Sequence, residues 1–373
     1  ADSKRTARAN SINQPIVNRT VSDIQPFLKE LLSAPGLSGY ESPAAHIIEE
    51  KWRPLVHELS RSRLGSLHGL RRGTATEPRP SLLVATHMDA IGLMVTGIAE
   101  GGFLRVTAIG GVDARVLPGQ LVTVHGRENL PGILVQPASH LLPPEIGEKP
   151  VPLEHLFVDV GRPPRKVNGL VRVGDLVSFA QPPLELSGET LAGHSVDNRA
   201  SVAALTVCLE ELQNRPHAWD VWAVATVQEE VGLIGAYTSS YQLRPQIAII
   251  LDVTWAKGPG VNDWNTFPLG KGPTIMWGPN IHPALHKAFK ELAERLEIPH
   301  AVEITPLHSG TDAVATQVTV EGIPSIALGI PIRYMHTPVE VVALKDVQRA
   351  GRLVAEFIVG LQPDFMEKLT WED

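Results

Sequence analysis

Several short stretches of this sequence are almost continuously apolar and then change abruptly to charged or imidazole side chains. They lie at residues 81–86, 221–228, 246–253 and 323–330. A strand that is apolar on both faces is typical of a sheet that helices cover on both sides. Segments with helical periodicity separate these stretches. The alternation predicts an α/β fold and is the strongest constraint that the sequence sets.

Helical patterns precede, separate and follow these strands. Apolar residues at helical spacing predict helices over 24–32, 43–55, 197–212, 283–296 and 344–361. Ser22 or Asp23 is expected to cap the first helix, and Pro43 is expected to open the second. Residues 1–20 are predicted to form a loose polar arm, and the lack of an apolar segment there argues against a signal peptide.

The sequence pattern changes between residues 91 and 181. Short alternations of Val and Leu, separated by Gly, Pro, Asn and Asp, predict a small and mostly antiparallel β module there. Its expected strands carry the sequences LRVTAI, QLVTVHG, GILVQ, LFVDVG and DLVSFA. We therefore predict a discontinuous α/β catalytic domain over 1–90 and 182–373, interrupted by a β insertion over 91–181. The insertion lacks clustered acids and histidines, which suits it to packing against another chain rather than to catalysis.

Composition and charge exclude several other classes of protein. Hydrophobic residues make up 43% of the chain and charged residues 20%, which excludes bulk disorder and a protein with many membrane spans. The formal net charge of -7 argues against a nucleic-acid partner. The single cysteine, Cys208, excludes an internal disulfide and a cysteine-based metal site. These observations predict a cytoplasmic globular enzyme with neither nucleic-acid nor membrane partners.

Acidic and imidazole side chains occur where the apolar stretches end. Because function collects at the carboxyl ends of the strands in an α/β sheet, these residues are the candidates for a site. They are His87, Asp89, Glu229, Glu230, Asp252 and His336, together with Asp197 at the start of a predicted helix. Taken alone, Asp197 fits a helix N-cap and His336 fits a loop histidine. Adjacent carboxylates at the end of a buried strand, however, repel each other unless water or a cation neutralises them.

Taken together, the candidates indicate a metal site. Two histidines and several carboxylates, without useful cysteines, are the ligand set of Zn²⁺, Co²⁺ or Mn²⁺. Two divalent ions bring a charge of +4, and the carboxylates of Asp197, Glu230 and Asp252 bring -3. The remaining charge of +1 would acidify a water molecule, and Glu229 would be free to accept its proton. The residues therefore predict a metal-activated hydrolase.

At these residues the sequence resembles the tetrahedral (TET) and glutamyl aminopeptidase family of dinuclear metallopeptidases. The matching blocks, in the order that the family has, are ATHMDAIGLMV, DARVLPGQLVTV, VDNRASVAAL, VQEEVGLIGA, LDVT, HSGTDA and RYMHTPVE. The resemblance implies a zinc-peptidase-like mixed sheet flanked by helices, with a small β-barrel-like dimerisation domain inserted over 91–181. It also implies an aminopeptidase that removes N-terminal residues from short peptides and assembles as a dimer or as a tetrahedral dodecamer.

The resemblance also implies a role for each candidate residue. Two divalent metal ions per subunit would share the site, with Zn²⁺ or Co²⁺ favoured and Mn²⁺ as a further candidate. The implied roles are ligands of one ion for His87 and Asp252, ligands of the other ion for Glu230 and His336, a bridging ligand for Asp197, a general base for Glu229 and support of the first histidine for Asp89.

Some positions near these residues depart from the family pattern or have no implied role. Ala90 follows the His-x-Asp element, where family members commonly have Glu, and His308 stands where glycine is common. We expect neither His194 nor His308 to be a ligand, because the implied ligand set is already complete. Trp255 and the neighbouring Lys257 are candidates for the pocket that receives the N-terminal residue of the substrate, although ordinary packing explains Trp255 equally well.

Two other functions are compatible with parts of the pattern. A glycoside hydrolase would pair Glu229 with Asp197 or Asp252 and would need no transition metal. Such an enzyme usually lines its cleft with aromatic residues, which are only 5% of this chain, and it leaves the histidines unexplained. An inactive binding protein on the same scaffold is the second alternative, and the presence of Glu229 argues against it.

Overall fold

The computed structural model describes residues 23–144, 146–147 and 149–371 of the chain. Its α-helices are α1 (Gln25–Ser33), α2 (Ser42–Trp52), α3 (Pro164–Leu170), α4 (Val196–Leu212), α5 (Ile234–Leu243), α6 (Pro283–Arg295), α7 (Asp312–Gln317) and α8 (Leu344–Gly360). Its strands are β1 (Glu58–Arg61), β2 (Leu67–Arg71), β3 (Ser81–His87), β4 (Gly92–Ile98), β5 (Leu104–Ile109), β6 (Leu121–His125), β7 (Asn129–Val135), β8 (Phe157–Asp159), β9 (Leu176–Phe179), β10 (Leu184–Leu186), β11 (Thr190–Gly193), β12 (Asp220–Thr226), β13 (Ile247–Trp255), β14 (Thr274–Trp277), β15 (Ala301–Ile304), β16 (Ser325–Arg333) and β17 (Glu340–Ala343).

Four parallel strands form the centre of the larger sheet. They lie in the order β12, β3, β13 and β16, and each is parallel to its neighbour. Antiparallel strands extend the sheet through β2 and β1 on one side and through β17, β11 and β10 on the other, while β14 joins β15 to β16. The four apolar stretches of the sequence are the four central strands, so the prediction of an α/β sheet is confirmed.

Helices cover this sheet in two groups. Helix α4 packs on β3 and β13 and contacts α1, α2 and α8, while α5 and α7 pack on each other and on the central strands. Trp52 of α2 is completely buried, and its Nε1 donates a 2.8 Å hydrogen bond to Thr206 Oγ1 of α4. Because this bond satisfies the indole N–H, burial of the ring stabilises the fold without the cost of an unpaired buried donor.

A closed six-stranded barrel is the second structural unit. Its strands follow one another around the barrel in the order β4, β5, β8, β7, β6 and β9. The barrel has a separate core of aliphatic side chains and Phe179. All five strand sequences expected within 91–181 form barrel strands, and α3 is a helix that the sequence pattern did not predict. The chain leaves the large sheet after β3 and returns to it at β10.

The helix predictions hold with small shifts at their ends. Asp23 Oδ1 accepts a 3.1 Å hydrogen bond from Gln25 N, as expected of a residue at a helix start. The other proposed cap, Ser22, and the predicted polar arm lie outside the described residues. Within the part of the chain that the structure describes, the helices are too short or too polar for any of them to traverse a lipid bilayer.

The close contact between α4 and α8 generates a prediction for stability. A Cβ atom added to Gly351 would lie 2.2 Å from the Ala204 carbonyl oxygen and 2.8 Å from Val207 Cβ. We expect Gly351→Ala to lower the free energy of unfolding by roughly 1–3 kcal/mol, because the two helices must move apart. Denaturant unfolding measures this loss.

Gly360, at the end of the same helix, is the matched control. A Cβ atom there would meet nothing within 4 Å. Gly360→Ala should leave stability unchanged or raise it by up to about 1 kcal/mol, since alanine loses less backbone entropy on folding. Equal losses in both variants would contradict the explanation from helix contact.

Candidate metal centre

The carboxyl ends of the parallel strands bring the predicted site residues together. Because β12, β3, β13 and β16 run in the same direction, the residues that end or follow them meet at one edge of the sheet. These residues are His87 at the end of β3, Glu229 and Glu230 after β12, Asp252 within β13, His336 after β16, and Asp197 in the first turn of α4.

Asp197 lies between the two histidines. Its Oδ1 is 3.2 Å from His87 Nε2, and its Oδ2 is 3.4 Å from His336 Nε2. The backbone of Asp197 is not helical, with φ -75° and ψ 106°, and its carboxylate oxygens face the two imidazoles. A carboxylate that offers one oxygen to each of two histidines is suited to lie between two cations.

The remaining acids complete two overlapping groups around His87. Its Nε2 lies 3.8 Å from Glu229 Oε2 and 3.8 Å from Asp252 Oδ1. His87, Glu229 and Asp252 form one group of potential ligand atoms, and His87, Asp197 and Glu230 form another, each within 4.8 Å. The distance from Glu230 Oε2 to His336 Nε2 is 3.9 Å. These separations suit side chains that converge on common cations.

Asp89 lies behind His87 and is completely buried. Its Oδ1 is 3.4 Å from His87 Nδ1, a long ion-pair contact, and its Oδ2 accepts a 2.6 Å hydrogen bond from Ser38 Oγ. The backbone amides of Glu229 and Glu230 also donate to this carboxylate, over 3.0 Å and 3.2 Å. Asp89 therefore fixes the turn after β12 in addition to facing the first histidine.

Three buried charged residues of the site have no role in the sequence analysis. Glu340 accepts hydrogen bonds from the backbone amides of Asp197 and His336. Asp312 accepts a 2.6 Å hydrogen bond from Thr226 Oγ1, and Arg199 donates to carbonyl groups at the end of α1. Glu340 and Asp312 lie in the blocks RYMHTPVE and HSGTDA, and Arg199 lies in VDNRASVAAL, so these blocks were the signal that could have identified them.

The other predicted positions lie outside this cluster. His194 is buried, its Nδ1 is 2.5 Å from Ser195 Oγ, and burial lowers its pKa to about 3. His308 and Lys257 are exposed. Trp255 ends β13, three residues beyond Asp252, and is 46% exposed. A half-exposed indole at this edge of the sheet keeps Trp255 as a candidate for substrate contact.

Burial and mutual repulsion raise the pKa values of several carboxyl groups. Burial, opposed by His87 and reinforced by Asp252, raises the pKa of Glu229 to about 10. Burial and then the neighbouring Asp197 carboxylate raise the pKa of Glu230 to about 7. The pKa of Asp252 also rises well above its usual range, chiefly through burial. Without added cations, the site therefore retains protons that free carboxyl groups would release at neutral pH.

The pKa of Asp197 changes in the opposite direction to those of the other carboxyl groups. Burial opposes its ionisation, but hydrogen bonds from His336 and His87 outweigh burial and lower its pKa. Burial likewise disfavours a charged His87, yet the surrounding carboxylates, Glu229 first, raise its pKa well above the usual range. The buried carboxyl groups thus retain protons and keep the neighbouring imidazole charged, which shows that the site favours positive charge. Imidazole nitrogens and carboxylate oxygens together fit divalent cations that prefer nitrogen and oxygen ligands.

Comparisons with known proteins agree with this chemistry. A model of the M42 glutamyl aminopeptidase family matches residues 65–353. Lysyl aminopeptidase from Pyrococcus furiosus is 35% identical over 344 residues, which are 90% of this chain and 97% of that protein.

Two solved structures have closely similar folds. An aminopeptidase from Desulfurococcus kamchatkensis has a TM-score of 0.86 at 34% identity and covers 93% of this chain and 97% of its own. The TET1 peptidase of Pyrococcus horikoshii, described as assembling into a tetrahedron or a large octahedral shell, has a TM-score of 0.79 at 28% identity and covers 91% of this chain and 100% of its own.

The raised pKa values generate a prediction for metal binding and pH. The folded pKa of Glu230 is about 7 and its ordinary value is 4.5, so this group stabilises the fold below about pH 4.5 and its contribution is lost as the pH rises through 7. Divalent cations take the place of those protons. We therefore expect the rise in Tm on adding Co²⁺ or Zn²⁺ to metal-free protein to be larger at about pH 7.5 than at about pH 5.5.

At each pH, the Tm with metal is compared with the Tm without metal, so the effect of histidines elsewhere in the chain on the Tm cancels. In Asp197→Ala, which removes the carboxylate between the two histidines, the metal-induced rise in Tm should largely disappear. Differential scanning fluorimetry on both proteins makes the measurement. A rise that is equal at both pH values, or that persists in Asp197→Ala, would show that the added ions act elsewhere.

Proposed function

The chain belongs to the M42 glutamyl aminopeptidase family and is therefore a metal-dependent aminopeptidase; we propose that it removes N-terminal residues from short peptides at a centre of two divalent metal ions. The observation that carries the proposal is the position of Asp197, with one carboxylate oxygen toward each of two histidines. In the proposed arrangement His87 and Asp252 would hold one ion, Glu230 and His336 would hold the other, and Asp197 would contribute to both.

Bound metal ions would supply Lewis acidity, which polarises a peptide carbonyl group and lowers the pKa of water. Zn²⁺ and Co²⁺ suit this set of imidazole and carboxylate ligands, and Mn²⁺ is the further candidate. The short distances from the two oxygens of Asp197 to His87 Nε2 and His336 Nε2, 3.2 Å and 3.4 Å, support a centre in which the ions would be close neighbours.

Glu229 is the proposed general base. Its backbone amide donates to Asp89, and its carboxylate, which is not one of the proposed ligands, lies 3.8 Å from His87 Nε2. The side chain would accept a proton from the attacking water and deliver it to the leaving amine nitrogen. A base needs a pKa near the working pH, and neighbouring positive charge would lower the pKa of Glu229 from about 10 toward that range.

The alternative functions explain less of the site. A glycoside hydrolase would use two carboxylates across a sugar, and it would leave His87 and His336 against Asp197 without a purpose. An inactive binding protein would have no need of Glu229 beside the first histidine.

Self-association through the barrel is part of the proposal. Exposed apolar side chains of β6 and β7 lie opposite each other on the barrel, with Leu121 53% exposed and Ile133 38% exposed. The TET1 peptidase of Pyrococcus horikoshii, described as assembling into a tetrahedron or a large octahedral shell, and a related structure described as a dodecamer support the inference that this chain forms at least a dimer and builds toward a dodecamer. A closed shell would admit short peptides and exclude folded proteins. The cytoplasmic location stays a prediction.

Hydrolysis of aminoacyl-nitroanilides, with and without a chelator, tests the proposed reaction. The protein should release nitroaniline in the presence of Co²⁺ or Zn²⁺ and lose this activity in the chelator. Unchanged activity after complete metal removal, or hydrolysis of glycosides instead, would refute the proposal.

Replacement of Glu229 tests the general base. We expect Glu229→Gln to bind both metal ions and to lose roughly 10²–10⁴-fold in kcat, because the proton acceptor is absent. Elemental analysis and steady-state kinetics are the two measurements. Glu230→Gln is the matched control, since it should lose one ion together with the activity. A metal-loaded Glu229→Gln variant with nearly full activity would contradict the assignment.

Light scattering tests the proposed assembly. The wild-type protein should show no species smaller than a dimer, and Leu121→Asp combined with Ile133→Asp should release smaller species, because two charges would be buried at the contact. Leu184→Asp is the control, since Leu184 is 57% exposed on β10 outside the barrel. A fully active wild-type monomer of about 40 kDa, the mass of one chain, would contradict the proposal.

A further inference from the structure

Glu340 is a buried carboxylate that the proposed reaction does not use. It is the first residue of β17 and is 1% exposed. Its Oε2 accepts a 3.0 Å hydrogen bond from Asp197 N, and its Oε1 accepts a 2.9 Å hydrogen bond from His336 N. One side chain thus holds the backbones of two proposed metal ligands that are far apart in the sequence.

We propose that Glu340 is a positioning residue that sets the spacing between the bridging carboxylate of Asp197 and the imidazole of His336. The inference rests on the proposed function, because it concerns how the ligands are held before a metal ion binds. If the inference is correct, metal affinity depends on Glu340 although Glu340 is not one of the proposed ligands.

The topology explains why Glu340 can reach both backbones. Strand β17 lies between β16 and β11 in the sheet, with Gly193 opposite Glu340. Strand β16 leads into the loop that carries His336, and β11 leads into the turn that carries Asp197. A carboxylate at the start of β17 therefore faces the chain segments that leave its two neighbouring strands.

His336 needs such an anchor because its own backbone conformation is unfavourable. Its φ angle is 63°, in the left-handed region that residues with a Cβ atom rarely adopt. Such a conformation persists only when surrounding contacts fix it. The hydrogen bond from His336 N to Glu340 supplies one of these contacts and directs the imidazole toward Asp197.

A second buried carboxylate in the site acts in the same way. Asp89 accepts hydrogen bonds from the backbone amides of Glu229 and Glu230. Glu340 does the same for the amides of Asp197 and His336. The fully buried guanidinium of Arg199 interacts electrostatically with both Asp89 and Glu340. One buried cation thus lies near both carboxylates that accept hydrogen bonds from backbone amides of the site.

Glu340→Gln tests the proposal with minimal change in shape. A glutamine can accept from one of the two amides, but its NH₂ group then faces the other N–H and cannot bond it. Metal affinity, measured by competition with a chromophoric chelator, should fall roughly 10- to 100-fold for at least one of the two ions. The Tm of the metal-free variant measures the stability of the fold separately from metal affinity.

Asp346→Asn is the matched control. Asp346 is completely buried on α8 and accepts hydrogen bonds from the amides of Gly270 and Gly272, over 2.7 Å and 3.0 Å. The substitution disturbs the same kind of carboxylate with two amide donors, but none of its hydrogen-bond partners is a proposed ligand. It should lower the Tm without changing the affinity for either ion.

The outcomes separate the inference from the proposed function. If wild-type protein binds no divalent ions, the proposed function fails; if it binds two and Glu340→Gln binds both with unchanged affinity, only the role of Glu340 fails. A fall in affinity that is equally large in Asp346→Asn would also overturn that role, because general destabilisation would then explain it.

Hydrogen exchange keeps the inference testable if Glu340→Gln does not fold. In metal-free wild-type protein, peptides that contain the amides of Asp197 and His336 should exchange slowly when analysed by mass spectrometry, because Glu340 already holds both amides. Rapid exchange at both positions before metal is added would overturn the proposal.

Discussion

Mutual repulsion among buried carboxyl groups is the constraint on which the structure of this site depends. The described residues place at least seven such groups at one edge of the sheet, namely Asp89, Asp197, Glu229, Glu230, Asp252, Asp312 and Glu340. Two unit charges about 4 Å apart interact by roughly 4 kcal/mol at an effective dielectric constant of about 20, so this cluster cannot ionise freely. Protons, imidazolium groups and the guanidinium of Arg199 relieve part of the repulsion. A bound metal ion, which the family membership implies, would relieve the rest.

The fold holds these groups together because the four central strands cannot move independently. Parallel pairing in fixed register sets Thr226 opposite His87 and Asp252 opposite Gly329. Buried helices on the sheet add Asp197 from α4 and Asp312 from α7. Core packing therefore supplies the free energy that offsets the electrostatic cost of the site. Hydrogen bonds from Ser38, Thr226 and backbone amides direct individual carboxylates.

The sequence predicts the parts of this arrangement that depend on local patterns. Central strands are continuously apolar because both their faces are buried, and the seven candidate residues follow from their positions at strand or helix ends. Short outer strands gave no such signal: β1 is almost wholly exposed, and β15 alternates between half-buried and exposed residues. Glu340 and Asp312 were missed as well, because a single acid at the start of a short strand or helix carries no local sign that distant segments bury it. The burial of Arg199 likewise depends on α1 and is visible only in the folded chain.

The barrel follows the site residues directly in the chain, and one of its turns also contacts the site. Strand β4 begins at Gly92, three residues after Asp89, and the turn after β5 contains Gly110 and Gly111, which approach the cluster. A Cβ atom on Gly111 would lie 2.7 Å from His336 Nδ1, and one on Gly110, whose φ is 74°, would lie 3.3 Å from Glu230 Cβ. Only glycine fits at this approach, so the barrel turn closes against two proposed ligands of the same ion. The barrel therefore contributes part of the wall around the proposed metal centre.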